Sequence, residues 1–307
     1  MSAQHEHAPE EKAGLWRRLN SWWGGEEMPS AGRSGAPAPN VRKAAAEATI
    51  WPKERLQVLE GLFGPGLDAP WVDEIHEPML RELLLTEDSK AVVLGGGLGG
   101  PAARLAELSG SNTILLDDRV DVADLAQNWV SENGATLKVD RRDFFETGLK
   151  PGYADAIVAF GGFSHVRDKR RLFSHLLQIL RPKGKIVFFD FFVTGMDPDC
   201  PEVAIWSALN ERPQYLLQPN SFADQAYKIG FDYPDYRDVT DLHASSIRAS
   251  FRKSVEVMRA AGPDAARLQP ALVAELETWN RRLALIDSGE VRYFQTTVEF
   301  FGGSAVV

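Results

Sequence analysis

The sequence predicts an α/β protein built on a doubly wound parallel sheet. Between residues 90 and 193, short apolar β-branched runs alternate with amphipathic segments, and the connections are short. The first run, "KAVVL", leads into "GGGLGG", five glycines in the six positions from Gly95 to Gly100. Alternation of this kind marks parallel strands joined by crossover helices. Right-handed crossovers gather the carboxyl ends of such strands on one edge, where ligands bind.

Residues 1 to about 48 read as an appendage. "PSAGRSGAPAP" is a small-residue, Pro-rich linker that buries too little apolar surface to order itself. Before it stands "GLWRRLNSWWGG", where Leu15, Trp16, Leu19, Trp22 and Trp23 share one arc of about 120° on a helix. Three tryptophans on one short helix are too much apolar area for water. The face docks on this chain or a second subunit, lies on a membrane surface, or meets a partner protein. His5 and His7 have no further ligand nearby to make a metal site.

The remaining residues, 49–307, form the domain proper. "ATIWPKERLQVLEGLFGPG" is a helix with Pro52 near its first turn and a Gly-Pro-Gly stop. A second helix runs from about Val72 to Leu85. "AVVLG" is a buried strand, "PAARLAELSG" a helix closed by Gly110, and "NTILLDD" the second strand. "DVADLAQNWVSENG" is a helix with Asp121 as cap and Gly134 beyond its end. "ATLKVDRRD" and "ADAIVAFGG" are the third and fourth strands, "KRRLFSHLLQIL" a helix, and "GKIVFFDFFV" the fifth strand. The rhythm then breaks. Residues 196–230 are an irregular and helical insertion with Trp206, Tyr215 and Tyr227, followed by a sixth strand in "FDYPDYRDVTD", helices from about His243 to Asp287, and a last strand, "VRYFQTTVEFF".

Composition narrows the function. A 307-residue chain with 44% hydrophobic and 25% charged residues suits a soluble globular protein with one large core. A net charge of -9 argues against a nucleic-acid surface. Cys200 is the sole cysteine, so there is no disulfide framework or multi-cysteine metal site. No apolar stretch reaches the roughly eighteen residues of a membrane span, and the acidic N-terminus lacks a signal-peptide core. The expected location is cytoplasmic, or peripheral at a membrane if the tryptophan face anchors there.

Gly95, Gly97 and Gly99 fit G-x-G-x-G, while Gly95, Gly97 and Gly100 fit G-x-G-x-x-G. Both let backbone approach a nucleotide-like ligand beside a helix N-terminus. Asp117, with Asp118 adjacent, ends the second strand about twenty residues on, where a carboxylate accepts ribose hydroxyls of NAD or of an adenosine cofactor alike.

Further residues separate the two. "GGGLGGPAARLA", "LLDD", "DRRDFFE" and "ADAIVAFGGFSHVRDKRRLFSHLLQILRPKGKIVFFD" together resemble the class I S-adenosylmethionine-dependent methyltransferases. The resemblance is close over residues 88–195 and looser to Phe301. Its glycine run is most similar to members that methylate small amines such as glycine derivatives or phosphoethanolamine. It implies a mostly parallel seven-stranded sheet with a reversed last strand, and residues 196–230 as a lid ahead of C-terminal strands and helices in 231–307. It also implies S-adenosyl-L-methionine as cofactor, with Gly95, Gly97 and Gly99 under its methionine part and Asp117 or Asp118 on its ribose. Asp143 and Phe144 would meet its adenine, and Gly161 and Phe163 would line the methyl-donor channel. Val93 stands where the family usually carries an acidic residue for the cofactor's ammonium group. That contact is left to a water or a backbone carbonyl, or the cofactor is weakly held.

Methyl transfer from a sulfonium is an in-line displacement whose leaving sulfur becomes neutral, so alignment and exclusion of water suffice. An amine or hydroxyl nucleophile must still lose a proton. His165 is the expected base, since an unperturbed imidazole titrates near neutrality; it equally fits a structural cap. Trp206 and Tyr215 are candidate substrate contacts or packing residues, and Arg248 a candidate for a substrate anion or a solvated helix face. The acceptor would be a small molecule or a lipid headgroup, on a monomer or homo-oligomer. The alternative is a non-catalytic protein that binds the cofactor and acts through partner proteins.

Overall fold

A computed structural model describes residues 51–195, 200–210 and 212–300. The Leu15–Trp23 face expected to dock lies outside the described residues.

The sheet is ordered β3-β2-β1-β4-β5-β7-β6. β1 (Lys90–Leu94), β2 (Asn112–Asp117), β3 (Lys138–Arg141), β4 (Ala154–Phe160) and β5 (Leu180–Val193) are mutually parallel. β7 (Val291–Glu299) is antiparallel to β5 on one side and to β6 (Asp235–Asp238) on the other. This is the doubly wound sheet with a reversed last strand that the alternation and the resemblance together imply.

Both faces of the central strands are covered, which is why they read as unbroken apolar runs. Successive residues point to opposite faces. Leu94, Ile157 and Phe188 pack with Phe163, Phe173 and Phe222, under α5 (Lys169–Ile179) and α7 (Pro219–Ile229). Val93, Val158 and Phe189 pack on the opposite side with Met79, Leu105 and Ala126. These come from α2 (Asp73–Glu82), α3 (Gly100–Ser109) and α4 (Val120–Glu132).

Several local expectations are corrected. α2 is shorter than Val72–Leu85, because Leu84 takes a left-handed φ of 51° and stands exposed. Asp121 does not cap α4: it lies in the first turn, the cap position is Arg119, and its Oδ2 is buried without a hydrogen-bond partner. β5 begins before Gly184. Leu180 pairs with Ala154 and Lys185 with Ala156, so the residues between bulge out, with Lys183 at φ 66°. β6 has four residues, far shorter than "FDYPDYRDVTD" suggests.

The C-terminal third shapes the site. α6 (Pro201–Leu209) and α7 flank an extended stretch at 212–218. α8 (Thr240–Ala261) and α9 (Ala265–Asp287), joined by a 3-10 turn at Gly262–Asp264, pack on each other and on α1 (Lys53–Phe63). No helix of the described residues is long and apolar enough to cross a membrane.

Candidate active site

β1 and β4 are neighbours, yet the chain leaves β1 toward β2 and enters β4 from β3, so their carboxyl ends flank the topological switch point. A cavity opens there, bordered by Gly95 and Gly96 after β1 and by Gly161 and Gly162 after β4. Strand-end amides are satisfied within the fold: Gly95 N–H donates to Leu116 O at 2.9 Å and Gly161 N–H to Phe189 O at 2.7 Å. Gly161 has φ 74°, and no atom stands within 4 Å of where a Cβ would be. Glycine is needed there for backbone conformation, and its bare face borders open space.

One wall of the cavity is aromatic. Trp71 stacks on His76 at 4.3 Å, and Phe160 lies 5.8 Å from the same imidazole. The rings continue through Phe189, 4.5 Å from His76 and 6.3 Å from Tyr293; His243 stacks on Tyr293 at 3.9 Å, and Phe191 lies 4.8 Å from that phenol ring. α9 contributes Trp279, with the Arg282 guanidinium 4.1 Å over its ring. Burial holds both histidines neutral, pushing His76 down to about 4 and His243 down to about 3.

Carboxylates line the rest. Asp190, at the mouth of β5, accepts from Ser164 N–H at 2.7 Å and Phe191 N–H at 2.9 Å, and burial pushes its carboxyl up. Asp68, in the loop between α1 and α2, is half-buried, and desolvation raises it as well. Glu275 of α9 pairs with Arg55 at 2.6 Å.

Of the residues expected at the site, the fold brings Gly95, Phe144, Gly161, His165 and Trp206 to this cavity. The others border it less directly or stand elsewhere. Gly97 and Gly99 belong to the turn beneath it, and the Cβ that Gly97 lacks would overlap the Asp68 carboxylate. Asp117 is wholly buried, and its carboxylate is gripped by Arg119 through Nε and Nη2, each at 3.0 Å, so Arg119 presents itself to the cavity instead. Asp118 is paired with Arg212 at 2.7 Å, tying the end of β2 to the stretch after α6. Asp143 accepts from Phe145 N–H at 2.7 Å and does not line the cavity. Phe163 is buried core, 5.1 Å from Phe173. Tyr215 contributes its backbone, accepting from Lys169 Nζ and donating to Ser164 O, with its ring turned partly outward. Arg248 is paired with Asp287 at 2.5 Å and does not line the cavity.

His165 is half-buried at the rim. Its Nδ1 lies 3.0 Å from Gln214 Nε2 and 3.4 Å from Pro213 O. Burial first, then the Arg212, Arg119 and Arg282 charges, push it down to about 3. It is neutral at physiological pH. Trp206 is 3% exposed, its Nε1 has no hydrogen-bond partner among the described residues, and its ring meets Phe191 edge-on at 5.7 Å.

Sequence reasoning missed Asp68, Arg282 and Trp279. For the α9 pair a signal existed: Glu275, Trp279 and Arg282 recur at helical spacing, putting charge on a buried stripe. Asp68 sits in "GPGLDAPW", which reads only as a helix stop.

Among the described residues, no group of three or more His, Cys, Asp or Glu is arranged to hold a metal ion. A switch-point cavity beside a glycine-rich turn, with β7 reversed between β5 and β6, defines the Rossmann-like methyltransferase fold. Residues 92–188 match the family model described as a methyltransferase domain. It is 23% identical over 204 residues to the phosphoethanolamine N-methyltransferase of Plasmodium falciparum, covering 66% of this chain and 76% of that one. It is 24% identical over 131 residues to sterol 24-C-methyltransferase erg6 of Aspergillus fumigatus, covering 41% and 35%. Among solved structures, phosphoethanolamine N-methyltransferase 2 of Haemonchus contortus, in complex with phosphomonomethylethanolamine and S-adenosylhomocysteine, superposes with a TM-score of 0.66 at 18% identity. That superposition covers 81% of this chain and 57% of the other, so the chain spans little over half of the Haemonchus protein and about a third of the sterol enzyme.

Proposed function

We propose that the cavity binds S-adenosyl-L-methionine and that the protein transfers its methyl group to a small molecule or lipid headgroup. The observation that carries this reading is the meeting, at one switch point, of the bare glycine edges at Gly95 and Gly161 with an aromatic chamber behind them. The methyltransferase-domain match and the phosphoethanolamine and sterol enzymes among the relatives support it. No observation favours a protein that binds the cofactor only to act through partners.

The residues present fit an adenosine sulfonium. Gly95, Gly96 and Gly161 permit close backbone approach. Phe144, whose ring lies 3.6 Å from the place a Gly95 Cβ would occupy, offers a flat face beside the turn for adenine, with Asp143 two residues from its bonded Phe145 N–H. Asp117 would take the ribose once Arg119 turns aside toward Trp51, whose ring already lies 5.3 Å from its guanidinium. When bound, the cofactor supplies an electrophilic methyl group whose sulfur leaves as a neutral thioether.

The chain's own residues then have three tasks. Trp71, His76, Phe160, Phe191, Trp206 and Tyr293 exclude water and present ring faces to an acceptor. Asp190 fixes the loop after β4 by holding Ser164 N–H, so the acceptor and donor sides of the cavity are set at a constant separation. His165, neutral and at the rim, accepts the hydrogen bond of the acceptor's N–H or O–H, and burial with the nearby arginine charges keeps it a weak base until those charges are neutralised.

Isothermal titration calorimetry tests the reading: S-adenosylmethionine and S-adenosylhomocysteine should each bind one site in the micromolar range and NAD should not bind. Transfer of labelled methyl to small amines, hydroxylated ring compounds or phospholipid headgroups should follow. Binding of NAD with no heat from the sulfonium would refute it.

A further inference from the structure

Val93 leaves a gap in the expected cofactor contacts, and the fold shows why it cannot close it: the side chain is wholly buried in the layer with Met79, Leu105 and Phe189. The loop at 64–72 brings a carboxylate to the same turn by another route. Gly66 O accepts from Gly100 N–H at 2.9 Å, and Gly66 N–H donates to Glu60 Oε1 at 3.0 Å, so the loop is fastened both to the start of α3 and to α1. Gly66 also packs against the Trp129 indole so closely that a Cβ there would come within 2.5 Å of it. Two residues on, Asp68 lays its carboxylate over Gly97 and borders the cavity together with Gly95 and Gly96.

Among the described residues that carboxylate has no ion-pair partner, and beyond its own backbone N–H nothing donates to it. Arg119 and Arg55 are near enough to influence it, but Arg119 grips Asp117 and Arg55 grips Glu275. Its pKa is raised chiefly by desolvation, with Asp117 adding repulsion. A desolvated carboxylate with no direct ion pair, its nearest arginines bound to other carboxylates, is costly to hold. A rigid loop that holds one beside a ligand-sized cavity is arranged for a cation that arrives with the ligand.

We infer that Asp68 binds the α-ammonium group of the cofactor's amino-acid end, supplying from the α1–α2 loop the charge that Val93 does not. This rests on the cofactor proposed above. Gly97 is glycine in part because the carboxylate occupies the volume of its missing Cβ, and its φ of 55° favours glycine independently. Only ligands that carry the amino-acid end feel Asp68; an adenosine thioether without it does not.

The test is calorimetric, with S-adenosylhomocysteine and 5′-methylthioadenosine titrated into the full chain and into Asp68→Asn. A charge-assisted hydrogen bond exchanged for a neutral one should weaken S-adenosylhomocysteine about 10- to 100-fold. 5′-Methylthioadenosine, which lacks the ammonium, should change less than about twofold, and that arm also reports that the variant is folded. Equal weakening of both ligands would overturn the inference by showing a merely structural role. So would unchanged S-adenosylhomocysteine affinity in the variant. If the unaltered protein binds neither ligand, the cofactor reading itself fails, and the inference with it; binding of both by the unaltered protein keeps the two failures apart.

Discussion

Replacing Gly100 by alanine should destabilise the protein, although a glycine-to-alanine change in a helix ordinarily does the reverse. Gly100 opens α3, and its φ is not in the left-handed region, so alanine fits the backbone. By helix propensity and unfolded-state entropy alone, the change would stabilise by about 0.5–1 kcal/mol. The structure opposes this. A Cβ at Gly100 would lie 2.6 Å from Gly66 O, 3.0 Å from its carbonyl carbon and 3.1 Å from Leu67 Cδ2. Two of those three atoms are backbone, so relief requires the 64–72 loop to retreat and the Gly100 N–H to Gly66 O bond to lengthen. Overpacking costs roughly 1–3 kcal/mol, and a weakened hydrogen bond about 1 kcal/mol more. The net loss is about 1–3 kcal/mol. At roughly 2–4 °C per kcal/mol for a domain of this size, the melting temperature should fall by about 3–10 °C. Circular dichroism melts of both proteins measure it directly. An unchanged or raised melting temperature would refute the claim that the loop is fastened against α3.

Three other outcomes follow from the site. His165→Gln should lower turnover more than tenfold with S-adenosylhomocysteine affinity intact, and because burial holds the imidazole near 3, the unaltered enzyme should show no acid limb near pH 6.5; such a limb, absent in the variant, would contradict that burial effect. His243→Phe should flatten the acid dependence of stability. A folded pKa lowered to about 3 gives stability that is fully present above the unfolded value near 6.5 and is lost as pH falls toward 3, about 2 kcal/mol between pH 6.5 and 5. Urea unfolding at the two pH values, with no difference in slope between the proteins, would count against a neutral buried imidazole. Asp190→Asn should cost about 1–3 kcal/mol, since the amide nitrogen would face one of the two backbone N–H donors that the carboxylate now satisfies; a melt indistinguishable from the parent would show those bonds to be dispensable.

The fold was legible because its signals are local. β-Branched runs, glycine stops and short connections determined the five parallel strands, and the resemblance placed the reversed strand. The candidate site was legible where the backbone itself borders the cavity, as at Gly95 and Gly161, or where a residue lies in the loop after a strand, as at His165. It was obscured where a side chain's partner is chosen in three dimensions. Nothing in "LLDDRV" announces that Arg119 folds back on Asp117, or that Asp118 reaches 94 positions along the chain to Arg212. Arg248 read from sequence as a candidate for a substrate anion or a solvated helix face; nothing there announces its pair with Asp287 of α9. Asp68 was invisible for the opposite reason: its importance lies in having no partner, and sequence carries no mark of that.

A crystal structure with S-adenosylhomocysteine bound tests the whole reading most directly. The adenine should lie against Phe144, the sulfur should face the chamber of Trp71, Phe160 and Tyr293, and the ammonium should be within hydrogen-bonding distance of Asp68. Density for the ligand outside the Gly95–Gly161 cleft, or its adenine packed among the chamber's rings, would contradict it.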